Sequence, residues 1–341
     1  MSLTVGIIGA GRIGKIHAEN LKAIPNIKLK SVSDVSIEHL KSWAKMNQIE
    51  VLTTNYFDIL NDPEINTVFI CSPTNTHTNL IKEAAKAGKH IFCEKPISFS
   101  LEETVEALKV VEKAGVKLQV GFNRRFDPNF RKVRQLVQDE KIGSPHILRI
   151  TSRDPESPSI DYIKSSGGIF MDMTIHDFDM ARYIMNSEVV EVYANGSVLV
   201  DSAIGDAGDI DTAIISLKFA NGALGVIENS RRAVYGYDQR LEIFGDKGNV
   251  HVDNNRATTV ELSTCEHVAK EKPLFFFLER YTQAYIEEVK EFTKAIIENE
   301  TVTCNGFDAL QAELIANAAK KSLETGMPVK VQQVGQFSVN Y

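Results

Sequence analysis

The sequence predicts two domains of different logic: an α/β domain over residues 1–121, then an α+β domain over 122–330 with a mainly antiparallel sheet. Three observations lead there. Apolar runs alternate with helical patterns through the first part of the chain, the pattern of a parallel sheet with helices on both faces. From Pro145 onward, short alternating strands follow one another with turn signals between them. At 341 residues the chain is also long for a single core.

The first elements set the theme. Val5 to Ile8 reads as a buried strand, running into Gly9-x-Gly11-x-x-Gly14 and then a helical pattern from Lys15 to Ala23. In a strand–turn–helix unit, Gly9 allows the sharp turn, Gly11 lets a pyrophosphate approach the backbone, and Gly14 lets helix pack on strand. The N–H groups of the helix start, at Arg12, Ile13 and Gly14, face the phosphates. The glycine pattern alone is weak, but its placement after a strand and before a helix makes it a Rossmann signature. Next, Ile27 to Asp34 alternates apolar and polar residues and ends in Asp34, twenty residues after Gly14. A carboxylate there accepts hydrogen bonds from the adenosine ribose and repels a 2′-phosphate, so NAD is expected over NADP. Arg12 is the opposing signal, since a nearby arginine can accommodate that phosphate.

The alternation continues. A helix around Glu38 to Lys45 is followed by a short strand near Val51-Leu52-Thr53 and an acidic turn, Asn61-Asp62-Pro63-Glu64. A buried strand, Thr67 to Cys71, ends in Ser72-Pro73-Thr74-Asn75-Thr76-His77. A helix from Thr78 to Ala87 stops at Gly88, a strand His90 to Cys93 ends in Glu94-Lys95-Pro96, and a helix Leu101 to Ala114 and a strand Lys117 to Gly121 follow. Ligands of such sheets bind outside the carboxyl ends of the strands, where Asp34, the Ser72–His77 loop and Glu94-Lys95 fall.

In the second domain Leu136 lies in a helix, and strands are expected at His146–Ser152, Val189–Leu199, Thr212–Phe219, Ala223–Ser230, Arg240–Phe244, Asn249–Val252 and Thr258–Leu262. Asn221-Gly222 is a hairpin signal and Asp246-Lys247-Gly248 another turn. The chain then returns to helix. Tyr281, Tyr285, Val289, Phe292 and Ile296 share one helical face, and a second helix runs from Phe307 to Glu324 and stops at Gly326. Residues 331–341 form a tail without a readable pattern.

Bulk properties exclude several classes. A net charge of −7 argues against a nucleic-acid partner. No apolar run is long enough to span a bilayer, and the apolar start lacks the basic leader of a signal peptide. Cys71, Cys93, Cys265 and Cys304 are scattered, with no Cys-x-x-Cys, and read as reduced thiols of a cytoplasmic protein.

Two places carry candidate chemistry. Lys95 ends a strand at the ligand edge, and Pro96 restricts it to an extended or turn conformation. Its ammonium can be directed at a substrate oxygen, although most lysines simply sit at the surface. In Gly167-Gly168-Ile169-Phe170-Met171-Asp172-Met173-Thr174-Ile175-His176-Asp177, Asp172 and His176 are neighbours on one helical face. A carboxylate beside an imidazole orients it and favours its protonated form, so His176 could take up a hydroxyl proton. The spacing is equally that of a helix-start aspartate tied to a core histidine. No third ligand stands at metal spacing, so no metal is expected.

Gly9–Gly14, Cys93-Glu94-Lys95-Pro96 and Gly167-Gly168…Asp172…His176-Asp177 occur in that order, joined by Val120-Gly121-Phe122-Asn123-Arg124-Arg125-Phe126-Asp127 and Ala318–Gly326. Together they resemble the glucose–fructose oxidoreductase and inositol dehydrogenase family over nearly the whole chain, and within it Gly236-Tyr237-Asp238-Gln239-Arg240 is most similar to the inositol 2-dehydrogenases. The resemblance implies a Rossmann domain plus an open-faced sheet domain, with the sheet faces paired in homodimers or homotetramers and the C-terminal helices packing back on the first domain. It implies NAD on Gly9, Gly11, Arg12, Ile13, Gly14 and Asp34, with Ser72, Thr74, Asn75, His77, Glu94, Lys95 and Asn123 along the rest of the cofactor. It implies a polyol substrate bound between the domains, with Lys95, Asp172 and His176 catalytic and Arg125, Asp154 and Tyr235 as further hydroxyl partners. The expected reaction is oxidation of a ring hydroxyl, with myo-inositol as substrate. A scyllo-inositol, glucose or other sugar dehydrogenase, an NAD-dependent glycoside hydrolase and a nucleotide-sensing regulator are the alternatives.

Overall fold

The structure is a computed structural model of the chain and describes residues 2–332, so Met1 and most of the expected tail, from 333 onward, lie outside the described residues. The first half is a six-stranded sheet of β1 (Leu3–Ile8), β2 (Ile27–Ser33), β3 (Val51–Thr53), β4 (Thr67–Ile70), β5 (His90–Cys93) and β6 (Leu118–Val120). The spatial order is β3-β2-β1-β4-β5-β6 and every pairing is parallel. That is the doubly wound order whose crevice opens where β1 and β4 lie side by side. The strands read as continuous apolar runs because both faces are covered: Val5, Ile7, Val68, Phe69, Ile91 and Phe92 are fully buried. The intervening helices are α1 (Arg12–Lys22), α2 (Lys41–Met46), α3 (Phe57–Leu60), α4 (His77–Lys86) and α5 (Leu101–Ala114). α5 starts on Ser100, whose side chain accepts from the Glu103 N–H, and stops at left-handed Gly115.

The second half carries α6 (Pro128–Gln138), α7 (Ile160–Ser165), α8 (Ile175–Met185), α9 (Ser202–Asp206) and α10 (Phe277–Arg280) around a seven-stranded sheet. Its strands are β7 (Pro145–Arg153), β8 (Val189–Ser197), β9 (Thr212–Phe219), β10 (Leu224–Ser230), β11 (Asp238–Gly245) and β12 (Gly248–Val252), with a short edge strand further along the chain. Only β7 and β10 pair in parallel. One face is buried and the other open, which is why the strands alternate so cleanly: Ala213, Ile215, Leu217 and Phe219 of β9 are buried while Ile214 is exposed. The expected strand at Thr258–Leu262 does not join this sheet. Glu261–Ser263 (β13) pairs instead with Val268–Lys270 (β14) as a separate hairpin. All three β13 residues are exposed, so its apolar side, Val260 and Leu262, is not buried in the core.

Two long helices follow, α11 (Thr282–Ile297) and α12 (Gly306–Thr325), and Val329–Lys330 (β15) then pairs antiparallel with β8 as the edge strand. The chain divides into two compact units, residues up to Phe126 with Gln283–Gln311, and Asp127–Thr282 with the described residues from Ala312. The helical face read from the sequence is the buried one, since Tyr285, Val289, Phe292 and Ile296 of α11 all lie in the core. Val289, Phe292 and Ile296 join the cluster that surrounds β1, β2, Phe69 and Phe92.

Candidate active site

In the first unit the glycine turn is built as a cradle. Gly9 has φ +96°, and a Cβ there would lie 2.5 Å from the Ser72 nitrogen. A Cβ on Gly14 would lie 2.1 Å from the Gly9 carbonyl oxygen, so these two glycines serve the close packing of strand, turn and helix. Gly11 differs: a Cβ there would meet nothing within 4 Å. It caps α1 without any side-chain hydrogen bond, and the first turn of α1 holds no acidic residue. An uncapped helix start facing open space suits the pyrophosphate of a dinucleotide, as backbone donors and the helix dipole both favour an anion there. Asp34 follows β2 and its carboxylate accepts from the Ala10 N–H at 2.8 Å and the Ser36 N–H at 3.1 Å, tying this acid to the glycine turn.

The other sheet-edge residues divide by what holds them. The Ser72 and Thr76 hydroxyls share a 2.6 Å hydrogen bond, Thr74 is half-buried and Asn75 exposed. His77 is buried, with Nδ1 2.8 Å from the Pro96 carbonyl and Nε2 2.8 Å from the Ser72 carbonyl. Burial, working against those two carbonyls, lowers its pKa. Both ring nitrogens lie against backbone carbonyls, so His77 ties the Ser72 loop to the Lys95–Pro96 turn. Lys95 is half-buried beyond the end of β5, and its peptide bond to Pro96 is cis. Glu94 accepts from His17 at 2.8 Å. Asn123 and Arg125 are buried, and Arg125 is held by Asp308 at 3.0 Å and the Thr303 carbonyl at 3.1 Å.

In the second unit the chain between Gly168 and α8 makes a π turn, Phe170–Thr174, that leads directly into α8. From Ile169 to Arg182 every residue is buried except Asp172 and His176. The π turn is backed by Asn229 on β10, which accepts from the Thr174 hydroxyl at 2.6 Å and donates to Asp177 at 2.8 Å. Asp172 accepts from the Tyr162 hydroxyl at 2.8 Å and from Arg231 Nη1 at 2.8 Å. Arg231 is 1% exposed and also lies 3.7 Å from Asp154 and 3.9 Å from Asp209. Burial works against its charge, but the carboxylates of Asp172, Asp154 and Asp209 outweigh it and raise its pKa. Burial and then the Asp172 charge raise the Tyr162 pKa, keeping this phenol a donor. Arg231 thus gathers Asp154 and Asp172. Tyr235 stands in another group, its hydroxyl donating to Asp238 at 2.5 Å and accepting from Arg153 at 2.7 Å.

Four residues central to this geometry have no motif: His17, Tyr162, Asp209 and Arg231. His17 alone had a local signal, since Gly14, His17, Ala18 and Leu21 share the buried face of α1. Among the described residues, no group of three or more His, Cys, Asp and Glu side chains is placed to hold a metal ion. No helix among them is long and apolar enough to cross a membrane.

Comparison with known proteins agrees in both halves. Residues 3–122 match the oxidoreductase family with an NAD-binding Rossmann fold, and residues 130–251 match the GFO/IDH/MocA C-terminal domain. The chain is 60% identical to the oxidoreductase YrbE of Bacillus subtilis, over 98% of each chain. It is 52% identical to the myo-inositol 2-dehydrogenase of Thermotoga maritima, over 97% of this chain and 99% of that one. A crystal structure of scyllo-inositol dehydrogenase from Lactobacillus casei, with NAD(H) and scyllo-inositol bound, is 31% identical and superposes with a TM-score of 0.91, over 97% of this chain and 99% of that one. With one family matched by each half and full-length relatives on both sequence and fold, the chain belongs to the GFO/IDH/MocA family of NAD-binding oxidoreductases.

Proposed function

We propose that the chain is an NAD-dependent dehydrogenase that oxidises a ring hydroxyl of a cyclic polyol, taking myo-inositol to its 2-keto product, scyllo-inosose. The observation that carries this reading is the Asp172–His176 pair: an acid and an imidazole that alone reach out of an otherwise buried run, with Arg231 and Tyr162 fixing the acid. NAD, when bound, supplies the hydride acceptor at the carbinol carbon. The rest is done by side chains. His176 takes the hydroxyl proton, and Asp172 orients the imidazole and stabilises its charged form. Lys95 stabilises the developing alkoxide, a charge that grows only as the reaction proceeds. The α1 N–H groups hold the pyrophosphate, Asp34 the adenosine ribose, and Ser72, Thr74, Asn75 and Glu94 stand at the same sheet edge. Asp154 offers a carboxylate to a further hydroxyl.

The names of the full-length relatives support the inositol reading, and a bound scyllo-inositol in the Lactobacillus casei enzyme keeps that isomer as the second substrate to test. Two further features belong to the same reading. Ile147, Leu224 and Phe244 are exposed on three neighbouring strands and in register with one another, an apolar row suited to pairing of two sheet faces in a homodimer or homotetramer. The four cysteines are unbridged, consistent with a reducing cytoplasm. The test is the initial rate of NADH absorbance with myo-inositol, scyllo-inositol and glucose, each against NAD and NADP. The expected result is the highest rate with myo-inositol and NAD. A rate only with glucose would move the substrate, and cleavage of a glycoside without net NADH would replace the reaction.

A further inference from the structure

Beneath the Lys95 turn, inside the first unit, lies a group of buried polar side chains that the proposed chemistry does not use. His17, on α1, is fully buried, its ring 4.8 Å from that of Phe92 and 5.5 Å from that of Phe69. Its Nε2 is 2.8 Å from Glu94 Oε1, and its buried Nδ1 has no hydrogen-bond partner among the described residues. A single tautomer fits: Nε2–H donates to Glu94, and the unpaired nitrogen is an acceptor rather than an orphaned donor. Glu288, on α11, is fully buried too, and neither of its carboxyl oxygens has a partner among the described residues. It faces Glu94. Gly121 leaves the room that the Glu94 carboxylate fills, since a Cβ there would lie 2.9 Å from Oε2.

We propose that His17 and Glu288 are positioning residues that act through Glu94 on the Lys95 turn. This rests on the reading of Lys95 as the group that stabilises the alkoxide. Two carboxylates cannot both be charged in so dry a place. Burial, and then the charge of Glu94, push the Glu288 carboxyl well above the ordinary range, so Glu288 carries the proton and Glu94 keeps the charge. Cys71 nearby does not compete for that role, because burial and then the charge of Glu94 push its thiol up. A neutral Glu288 lets Glu94 stay on His17, whereas an ionised one would repel it. The turn is then pinned from three elements: His17 holds Glu94, the Glu94 N–H donates to the Ile70 carbonyl at 3.0 Å, and His77 holds the Pro96 carbonyl. His17 sits one turn beyond Gly14. The helix that receives the pyrophosphate therefore also fixes the backbone that carries Lys95.

The experiment compares wild type with Glu288→Gln, His17→Gln and His17→Leu, and with Lys95→Ala as reference. Infrared difference spectra of wild type minus Glu288→Gln should show the stretching band of a protonated carboxyl at neutral pH. The unfolding equilibrium should also separate the two. A carboxyl whose folded pKa is raised makes the folded state hold the extra proton, so stability falls as pH rises from the ordinary carboxyl range to the folded value. The slope approaches tenfold in the equilibrium constant per pH unit for one proton, and Glu288→Gln should remove it. His17→Leu should lower kcat about tenfold or more with NAD still bound at saturation, and His17→Gln, which keeps a donor, should recover part of the loss. Absence of the carboxyl band together with an unchanged pH slope would overturn the role of Glu288. A folded His17→Leu or His17→Gln with full kcat, while Lys95→Ala is crippled, would overturn the positioning role and leave the Lys95 reading intact. Full kcat in Lys95→Ala would instead overturn that reading.

Discussion

Replacing Arg231 by methionine is the sharpest perturbation of the second unit. The guanidinium is 1% exposed and faces three carboxylates, Asp172 at 2.8 Å, Asp154 at 3.7 Å and Asp209 at 3.9 Å. The long stem of methionine fills most of the volume, so the loss is mainly electrostatic. Removing one partner of a buried ion pair costs about 3–5 kcal/mol, because the remaining charge is left buried and uncompensated. Here three acids lose a shared counter-charge, but each keeps some contact with solvent, 12% for Asp172, 24% for Asp154 and 12% for Asp209. The lower end, about 3 kcal/mol, is therefore the expected loss, read as a lower urea midpoint with the slope unchanged. Two variants locate the cause. Arg231→Met with Asp172→Asn should be less unstable than the sum of the single changes, with a coupling of about 1–3 kcal/mol. Arg231→Lys, which keeps the charge but loses the fork, should fall between. In activity, Arg231→Met should lower kcat more than it raises KM for the polyol, since the geometry of Asp172 and not substrate contact is lost. Additive effects of Arg231→Met and Asp172→Asn, or an unchanged kcat in a folded Arg231→Met protein, would refute the claim that Arg231 holds Asp172.

Other expectations follow from the same geometry. Gly11→Ala should fold with stability within about 0.5 kcal/mol of wild type, since its Cβ meets no protein atom, yet bind NAD at least tenfold more weakly in a fluorescence titration. Gly9→Ala should do the reverse of this selective loss and destabilise the fold outright, because φ +96° and backbone atoms at 2.5 Å leave no place for a methyl group. Asp34→Ser should narrow the kcat/KM preference for NAD over NADP, and it should also loosen the glycine turn by losing the Ala10 hydrogen bond. Lys95→Ala and His176→Ala should each lower kcat by about 10²–10³ with NAD binding retained, the scale of removing one group that stabilises the transition state.

How much of this could be read from the chain alone follows from the range of each interaction. The glycine turn was legible because its demands are local: a turn, a close backbone approach and a helix start all fall within six residues. The strands were legible because covered sheets are written as apolar runs and half-open ones as alternation. The hairpin Glu261–Lys270 was misplaced because alternation says nothing about which sheet a strand joins, and the apolar side of this one, Val260 and Leu262, stays exposed. Arg231 was invisible for a different reason. It follows β10 and reaches Asp154 and Asp172 only because β10 pairs with β7, where Ser230 lies opposite Arg153. The partners of His77 and Arg125 were equally out of reach, since the Pro96 carbonyl and Asp308 come to them only through the fold. Glu288 was readable in principle, since it lies between Tyr285 and Phe292 on the apolar face of α11 and a carboxylate there needs an explanation.

The two units neutralise buried acids in different ways, and the difference bears on what each can bind. In the first, Glu288 is discharged by a proton, while the Glu94 carboxylate accepts from His17. In the second, Arg231 serves three carboxylates at once. A site lined by carboxylates is poor at holding phosphates or acids, whose charge it repels. It is well matched to a neutral molecule with many hydroxyls, because every hydroxyl can donate to a carboxylate that has spare lone pairs. Arg231 then works in two directions. It keeps the acids from repelling one another out of place, and being fully buried, it does so without presenting a cation to solvent that would attract an anionic competitor. The arrangement of these acids and the stability of the second unit therefore rest on the same side chain.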